Sequence, residues 1–161
     1  MKIAGLLFLF CSVSALGFEI GSRYISMLKD AKRAELFIKN IILCLENENM
    51  TLGEIFENCG KTCDEKTGKF IFSLSERNIK DIGKMALECG FCRNIDVIPA
   101  LEEAFFVLGK YSAAEQIREL TFCRSRISNI ILEHEKPLLL KAKLSGYSGV
   151  LAGAFLSILL A

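Results

Sequence analysis

Most of what chemistry needs is missing from this chain. Its single histidine, His134, lies between Glu133 and Glu135 with no partner at the spacing of a catalytic triad, and it reads as a solvated helix residue, not a general base. There is no glycine-rich phosphate loop with its lysine. Neither strand-like alternation nor an internal repeat is present. An excess of either charge is absent too, since 20 basic residues stand against 19 acidic ones for a net charge of +1. That balance excludes the electrostatic footprint expected of a nucleic-acid partner. No enzymatic activity, cofactor, bound metal or small-molecule substrate is therefore expected.

What the chain has in quantity is apolar sequence, 52% of its residues, concentrated at its ends. Ile3 to Phe18 and Leu144 to Ala161 carry no charge, runs of 16 and 18 residues. A bilayer-spanning helix needs about 17–25 residues, so both suffice once interfacial neighbours are counted. Every acidic residue, and every basic one except Lys2, lies between them. The reading is a first span over residues 1–21, a water-soluble domain over 22–143 and a second span over 144–161. A cleaved signal peptide is the rival for the first run, with Lys2, an apolar core and Val13-Ser14-Ala15 as its site. A lipoprotein site is poorer, because bulky Phe10 precedes Cys11. Charge placement favours the span: Arg23, Lys29, Lys32 and Arg33 follow the first run, and Lys136, Lys141 and Lys143 lead into the second. By the positive-inside rule the middle domain is cytoplasmic and both termini face out.

The middle domain reads as helix throughout. Thr51-Leu-Gly-Glu54 and Ser112-Ala-Ala-Glu115 are capping boxes, which predict helix starts at 51 and 112. Asn94 is a candidate cap for a helix carrying Val97, Ile98, Leu101, Ala104, Phe105 and Leu108 at 3.6-residue spacing, ended by Gly109. The first span is expected to continue to about Glu46 behind an apolar stripe of Phe37, Ile41, Cys44 and Leu45. Residues 60–69 read as a loop. Helices follow near 70–75 and 78–88, the latter capped by Gly90. The last helix turns Ile117, Leu120, Ile127 and Ile131 inward, and Pro137 is expected to interrupt and bend it before the membrane. Its outward side, with Glu115, Arg118, Glu119, Arg124 and Arg126, is a mixed-charge face of the kind that sets partner choice or is simply solvated. The expected fold class is all-α: a cytoplasmic helical bundle inserted between two transmembrane helices that form a hairpin.

Seven cysteines invite a redox or metal reading. Cys89-Gly-Phe-Cys92 has the C-x-x-C spacing of thiol–disulfide enzymes, but it follows the end of a helix, where the dipole disfavours a thiolate. Cys59-x3-Cys63 with Cys89-x2-Cys92 has the spacing of a four-thiolate zinc site. A bundle of this size has core enough without metal, and free cysteine is a common small buried hydrophobe, so the thiols are read as reduced core residues.

The membrane segments have a pattern of their own. Ser145, Gly149, Gly153, Ser157 and Ala161 recur every fourth residue, with Gly149 and Gly153 forming G-x-x-x-G; Gly17 and Gly21 stand in the same relation in the first span. Such faces let backbones approach closely. Gly17, Gly21, Ser145, Gly149, Gly153 and Ser157 are the candidate helix-packing interface, either within the hairpin or toward other subunits.

The order of these parts resembles the stage III sporulation protein AB family of endospore-forming bacteria. The resemblance rests on the first span running into Phe18-Glu-Ile-Gly-Ser-Arg-Tyr24, the helix ending near Leu45-Glu46, the stretch Leu108-Gly-Lys-Tyr-Ser-Ala-Ala-Glu115-Gln116, and the tail Ser145-Gly-Tyr-Ser-Gly-Val-Leu-Ala-Gly153. The chain departs from the family's pattern in the turn before Leu52, in the lower charge after Leu108, and at Pro137. The resemblance implies a membrane component of the channel linking mother cell and forespore, with a cytoplasmic domain similar to type II secretion platform proteins. Its implied partners are a secretion-type ATPase, other channel membrane proteins and the lipid bilayer, and its implied place is the mother-cell-derived membrane around the forespore. No catalytic residue is implied. The competing readings are a zinc- or thiol-dependent membrane-anchored sensor built on the cysteine pairs, and a generic two-span adaptor.

Overall fold

The computed structural model describes residues 2–46, 50–62, 64–76 and 81–159. Among the described residues the fold is all-α, with six helices and no strand: α1 Lys2–Glu46, α2 Leu52–Thr62, α3 Glu65–Glu76, α4 Ile82–Glu88, α5 Ile98–Val107 and α6 Ala113–Leu159. The first helix continues unbroken to Glu46 as its sequence predicts.

Helix starts follow the capping chemistry. The Thr51 amide and hydroxyl donate to Glu54 Oε2 at 2.7 and 2.9 Å, and the Glu54 amide donates back to Thr51 Oγ1 at 3.4 Å. These bonds, the backbone one first, hold the Glu54 carboxyl below its ordinary pKa. Ser112 and Glu115 repeat the box at 3.3, 2.9 and 3.4 Å. A third cap overturns the expected loop over 60–69. Asp64 Oδ1 accepts from the Thr67 amide at 3.2 Å and from its hydroxyl at 2.5 Å, so α3 restarts at Glu65, straight after α2 has run to Thr62. Gly60 and Gly68, which suggested a loop, lie inside helices. The helix expected at 70 thus begins at 65, the one expected at 78 is described from 82, and residues 77–80 and Cys63 lie outside the described residues.

Helix ends are set by two glycines with positive φ, Gly90 at 64° and Gly109 at 75°. After α4 the Phe91 amide donates to Ala86 O at 2.9 Å and the Gly90 amide to Leu87 O at 3.1 Å, a Schellman motif that satisfies the last carbonyls. After α5 the Gly109 amide donates to Gln116 Oε1 at 3.2 Å, while Gln116 Nε2 donates to Tyr111 O at 2.6 Å. Gln116 therefore ties the turn to the first turn of α6.

Two expectations need correction. Asn94 does not cap α5: its Oδ1 accepts from the Asp96 amide at 3.1 Å and its carbonyl from the Val97 amide at 3.1 Å, which closes a separate turn. Val97 is the N-cap, without a side-chain bond, and Pro99 occupies the first turn of the helix, where a missing N–H costs nothing. Pro137 does not interrupt α6, which is continuous over 47 residues. One deleted hydrogen bond is a local loss in so long a helix, and Ile131 and Leu138, buried on either side, anchor it.

The chain divides into two compact units, residues 1–28 with 133–161 and residues 29–132. In the second, the core is aromatic. Phe70 and Phe91 stack at 4.4 Å between centroids, Phe37 meets them edge-on at 6.1 and 5.6 Å, and Phe105 closes the cluster edge-on to Phe70 at 5.7 Å. Such pairs contribute roughly 0.5–1.5 kcal/mol each beyond their buried area. Around them Ile38, Ile41, Ile55, Leu101, Leu120 and Ile127 are fully buried.

Candidate functional site

The six candidate interface residues fall in the first unit, where the early part of α1 packs along the late part of α6 in antiparallel order. A Cβ placed on Gly17 would lie 2.7 Å from Gly149 Cα and 2.8 Å from Ser145 O, and one on Gly149 would lie 2.7 Å from Gly17 Cα. Real side chains do not fit there, so the two backbones touch because both positions are glycine. One turn away, a Cβ on Gly21 would meet Ala142 O at 2.8 Å. Gly153 is looser, its added Cβ facing Phe10 O at 3.1 Å and Ser14 Oγ at 3.2 Å. The two serines bond across the contact: Ser145 Oγ donates to Gly17 O at 2.9 Å, and Ser157 Oγ reaches Leu6 O at 3.4 Å besides its own-helix Gly153 O at 2.8 Å. Large apolar side chains point away from the contact: Phe8, Leu16, Leu151, Phe155 and Ile158 are 64–79% exposed. Both α1 and α6 are long and apolar enough, by length and composition, to cross a membrane.

A second constellation, in the other unit, escaped the sequence reading. Asp30, whose side chain is 1% exposed, pairs with Arg33 Nη1 at 2.7 Å and lies 3.9 Å from Lys66 Nζ and 3.7 Å from Arg93 Nε. Arg33 also donates from Nε to Asp64 Oδ2 at 2.6 Å and from Nη1 to Phe91 O at 2.9 Å. Burial opposes the charge on Arg33, but the hydrogen bonds to Asp30 and Asp64 outweigh it and raise its pKa. Asp64 is likewise partly buried, and its bonds from Thr67 and Arg33 prevail to lower its pKa. One guanidinium thus joins α1, the cap of α3 and the turn after α4. The signal lay in the sequence: Asp30 falls in register with Ala34, Phe37 and Ile41 on the buried stripe of α1, where a lone carboxylate demands a cation. Asp30 Oδ2 accepts no hydrogen bond among the described residues.

Among the described residues Cys59, Cys92 and Cys123 are buried core residues. Cys59 is buried inside α2. Cys89 is the C-cap of α4 with its sulfur 3.3 Å from Ser73 Oγ. Cys92 is fully buried, and burial pushes its thiol up to about 11; Cys123 is raised to about 11 for the same reason. These are thiols and not thiolates at neutral pH. Among the described residues no group of three or more His, Cys, Asp or Glu is placed to hold a metal ion. His134 is half-buried on α6. Of the mixed-charge face on α6, Arg124 turns to Glu35 at 3.7 Å, Arg126 to Glu103 at 2.7 Å and Arg118 to its neighbour Glu119 at 3.0 Å. Much of that face is therefore engaged within the unit.

The family model of stage III sporulation protein AB matches residues 2–161. The chain belongs to that family. No curated protein and no solved structure matches it. The match takes in both long apolar helices and the aromatic unit between them, so family membership applies to the whole arrangement and a role in sporulation follows from it.

Proposed function

We propose that this chain is a non-enzymatic platform in the sporulation channel between mother cell and forespore, holding a cytoplasmic secretion-type ATPase and the channel's membrane subunits in place. Residues 1–21 and 144–161 cross the membrane derived from the mother cell, 22–143 lie in the cytoplasm, and both termini face out. The observation that carries the reading is the division of labour within a sporulation family member. One unit is a pair of apolar helices locked by small residues, with its large apolar side chains turned outward. The other is an independently cored bundle with buried, neutral thiols. Basic residues on the inner flanks of both spans support the topology.

The test is genetic. A Cys89→Ser, Cys92→Ser double variant should sporulate at the parental frequency, because the serines keep the shape of the turn and no thiol chemistry is used. Deletion of residues 144–161 should reduce sporulation to the level of a null strain. If the double variant reaches the membrane, folds and still fails to sporulate, the platform reading is wrong and the thiols have a chemical role.

A further inference from the structure

At the inner edge of the α6 span, Lys141 and Lys143 pair with no carboxylate among the described residues. The uncharged run of α6 begins at Leu144, so both lysines stand within about 5 Å of it along the helix axis. A Cβ on Gly21 would lie 2.8 Å from Ala142 O, which puts Ala142 on the side of α6 that meets α1. Successive helical residues turn by about 100°, and Lys141 and Lys143, both exposed, therefore leave on opposite flanks of that contact. Tyr147, 68% exposed, follows one turn beyond Lys143 on the same face. Tyrosine favours that level, where lipid headgroups meet the apolar run.

The other charges near this edge do not cancel the lysines. On α1, Arg23 stands two residues past Gly21 and pairs with Glu19 at 3.6 Å, and no further charge follows before Lys29. That pair is neutral. On α6, Glu133, Glu135 and Lys136 lie about 12 Å or more from Leu144 along the axis, beyond the roughly 8 Å over which salt leaves charges visible. Glu135 already has an interaction within the chain. Counting all of them still leaves the edge positive. Beside the lysines, Leu144, Tyr147 and Leu151 form one exposed stripe at i, i+3 and i+7. Cations above an apolar stripe suit an anionic amphiphile, whose phosphate and acyl chains are both served, better than a free anion.

We propose that Lys141, Lys143 and Tyr147 bind anionic phospholipid at the cytoplasmic edge of the α6 span. The two ammonium groups and the tyrosine hydroxyl take the phosphate, and the acyl chains lie along Leu144 and Leu151. Lipid held on both flanks fixes the depth of α6 in the bilayer, so the platform is set at a defined height. The proposal rests on the two spans of the platform reading. Its test reads lipid on the purified chain, so its failure leaves the sporulation phenotypes untouched.

The probes are phosphatidylglycerol and phosphatidylcholine with identical acyl chains, supplied in equal amounts to the full chain in a non-ionic detergent, with retained lipid counted by native mass spectrometry. Phosphatidylglycerol should be retained at least fivefold over phosphatidylcholine. In a Lys141→Gln, Lys143→Gln variant that preference should fall below twofold with the melting temperature unchanged, and Lys141→Arg, Lys143→Arg should restore it. Tyr147→Phe should cost about twofold. A Lys39→Gln, Lys84→Gln variant makes the same change of net charge at exposed positions of the other unit, and it should keep the parental preference. Equal retention of the two lipids by the parent, or an unchanged preference in the folded Lys141→Gln, Lys143→Gln variant, would overturn the proposal. An equal loss in the Lys39→Gln, Lys84→Gln variant would do so too, because net charge and not a site would then be responsible. Displacement of phosphatidylglycerol by 20-fold excess inorganic phosphate would show that the lysines take a free anion, and the lipid site would be rejected.

Discussion

The two units solve one problem, holding helices together, by opposite means. In the unit of residues 1–28 and 133–161, side chains are removed from the contact until backbones touch, Gly17 against Gly149, and hydroxyls bond to the facing helix. In the unit of residues 29–132, side chains are piled into the contact, three phenylalanines around Phe37 and a carboxylate shut in beside Arg33. The first method needs no expulsion of water between the helices, since it gains from close van der Waals contact and bonding. The second depends on taking apolar area out of water. A helix can therefore change its packing rule along its length, and α1 does so near Lys29.

The strongest way to break the comparison is to attack the polar lock of the aromatic unit. Asp30→Ala removes a fully buried carboxylate and leaves Arg33 with part of its charge unanswered. Removing one partner of a buried pair costs about 3–5 kcal/mol, enough to lower the melting transition of this unit severely. Asp30→Asn keeps the shape and one acceptor and should be milder. Differential scanning calorimetry of the purified chain, with hydrogen exchange to assign the transition, separates the two. An unchanged transition in Asp30→Ala would mean that the aromatic cluster alone sets the stability of the unit.

Next in size is the glycine contact. Gly17→Leu places a branched side chain where even a Cβ would sit 2.7 Å from a facing Cα, and overpacking of this kind costs about 1–3 kcal/mol. Phe155→Leu, on an exposed position of α6, should be near neutral. Gly5→Ala should be neutral as well, because nothing lies within 4 Å of a Cβ there. The measurement is the rate of disulfide cross-linking between cysteines introduced at Leu6 and Ser157, whose atoms approach in the parent. A Gly17→Leu variant that cross-links as fast as Phe155→Leu would remove the backbone-contact account.

These contrasts also mark what could be seen in the sequence. Two long helices, both capping boxes and both glycine stops were legible because each depends on a few neighbouring residues: Thr51 with Glu54, Ser112 with Glu115, Gly90 and Gly109 by themselves. The restart at Asp64 was local too. It was missed because Gly60, Thr62 and Gly68 weigh toward a loop in any propensity sum, while a single well-placed carboxylate decides the geometry. The small-residue stripe was legible as a face from its four-residue period, but which backbone it would meet was not a property of one helix. The Asp30 cluster was hidden for the same reason. Its cations come from positions 33, 66 and 93, brought together by tertiary packing. Asn94 shows the converse, a good cap residue used instead to close a turn before its helix.

The smallest effect expected is a dependence on alkaline pH confined to the aromatic unit. Cys92 and Cys123 are held as neutral thiols, each with its pKa raised by burial from 9.0 to about 11. In the unfolded chain the same thiols ionise near their ordinary value. Below pH 9 both states hold the proton and the shift has no effect on the balance between them. Between pH 9 and 11 the unfolded state sheds its proton first and is favoured, so stability falls across that window and levels off once the folded thiol has also ionised. A shift of about two units corresponds to no more than about 2.7 kcal/mol per thiol, less to the extent that water enters as the unit loosens. Lysines also titrate in this range, so the informative quantity is a difference in slope. In Cys92→Ala the buried sulfur is gone, and the variant should start less stable but lose stability less steeply from pH 9 to 11, measured by urea unfolding at half-unit steps. The helical signal of the other unit should persist while the aromatic unit weakens. Parallel pH profiles for the parent and Cys92→Ala would mean that the thiol is hydrated in the folded chain, and that the core around Phe91 is looser than its packing indicates.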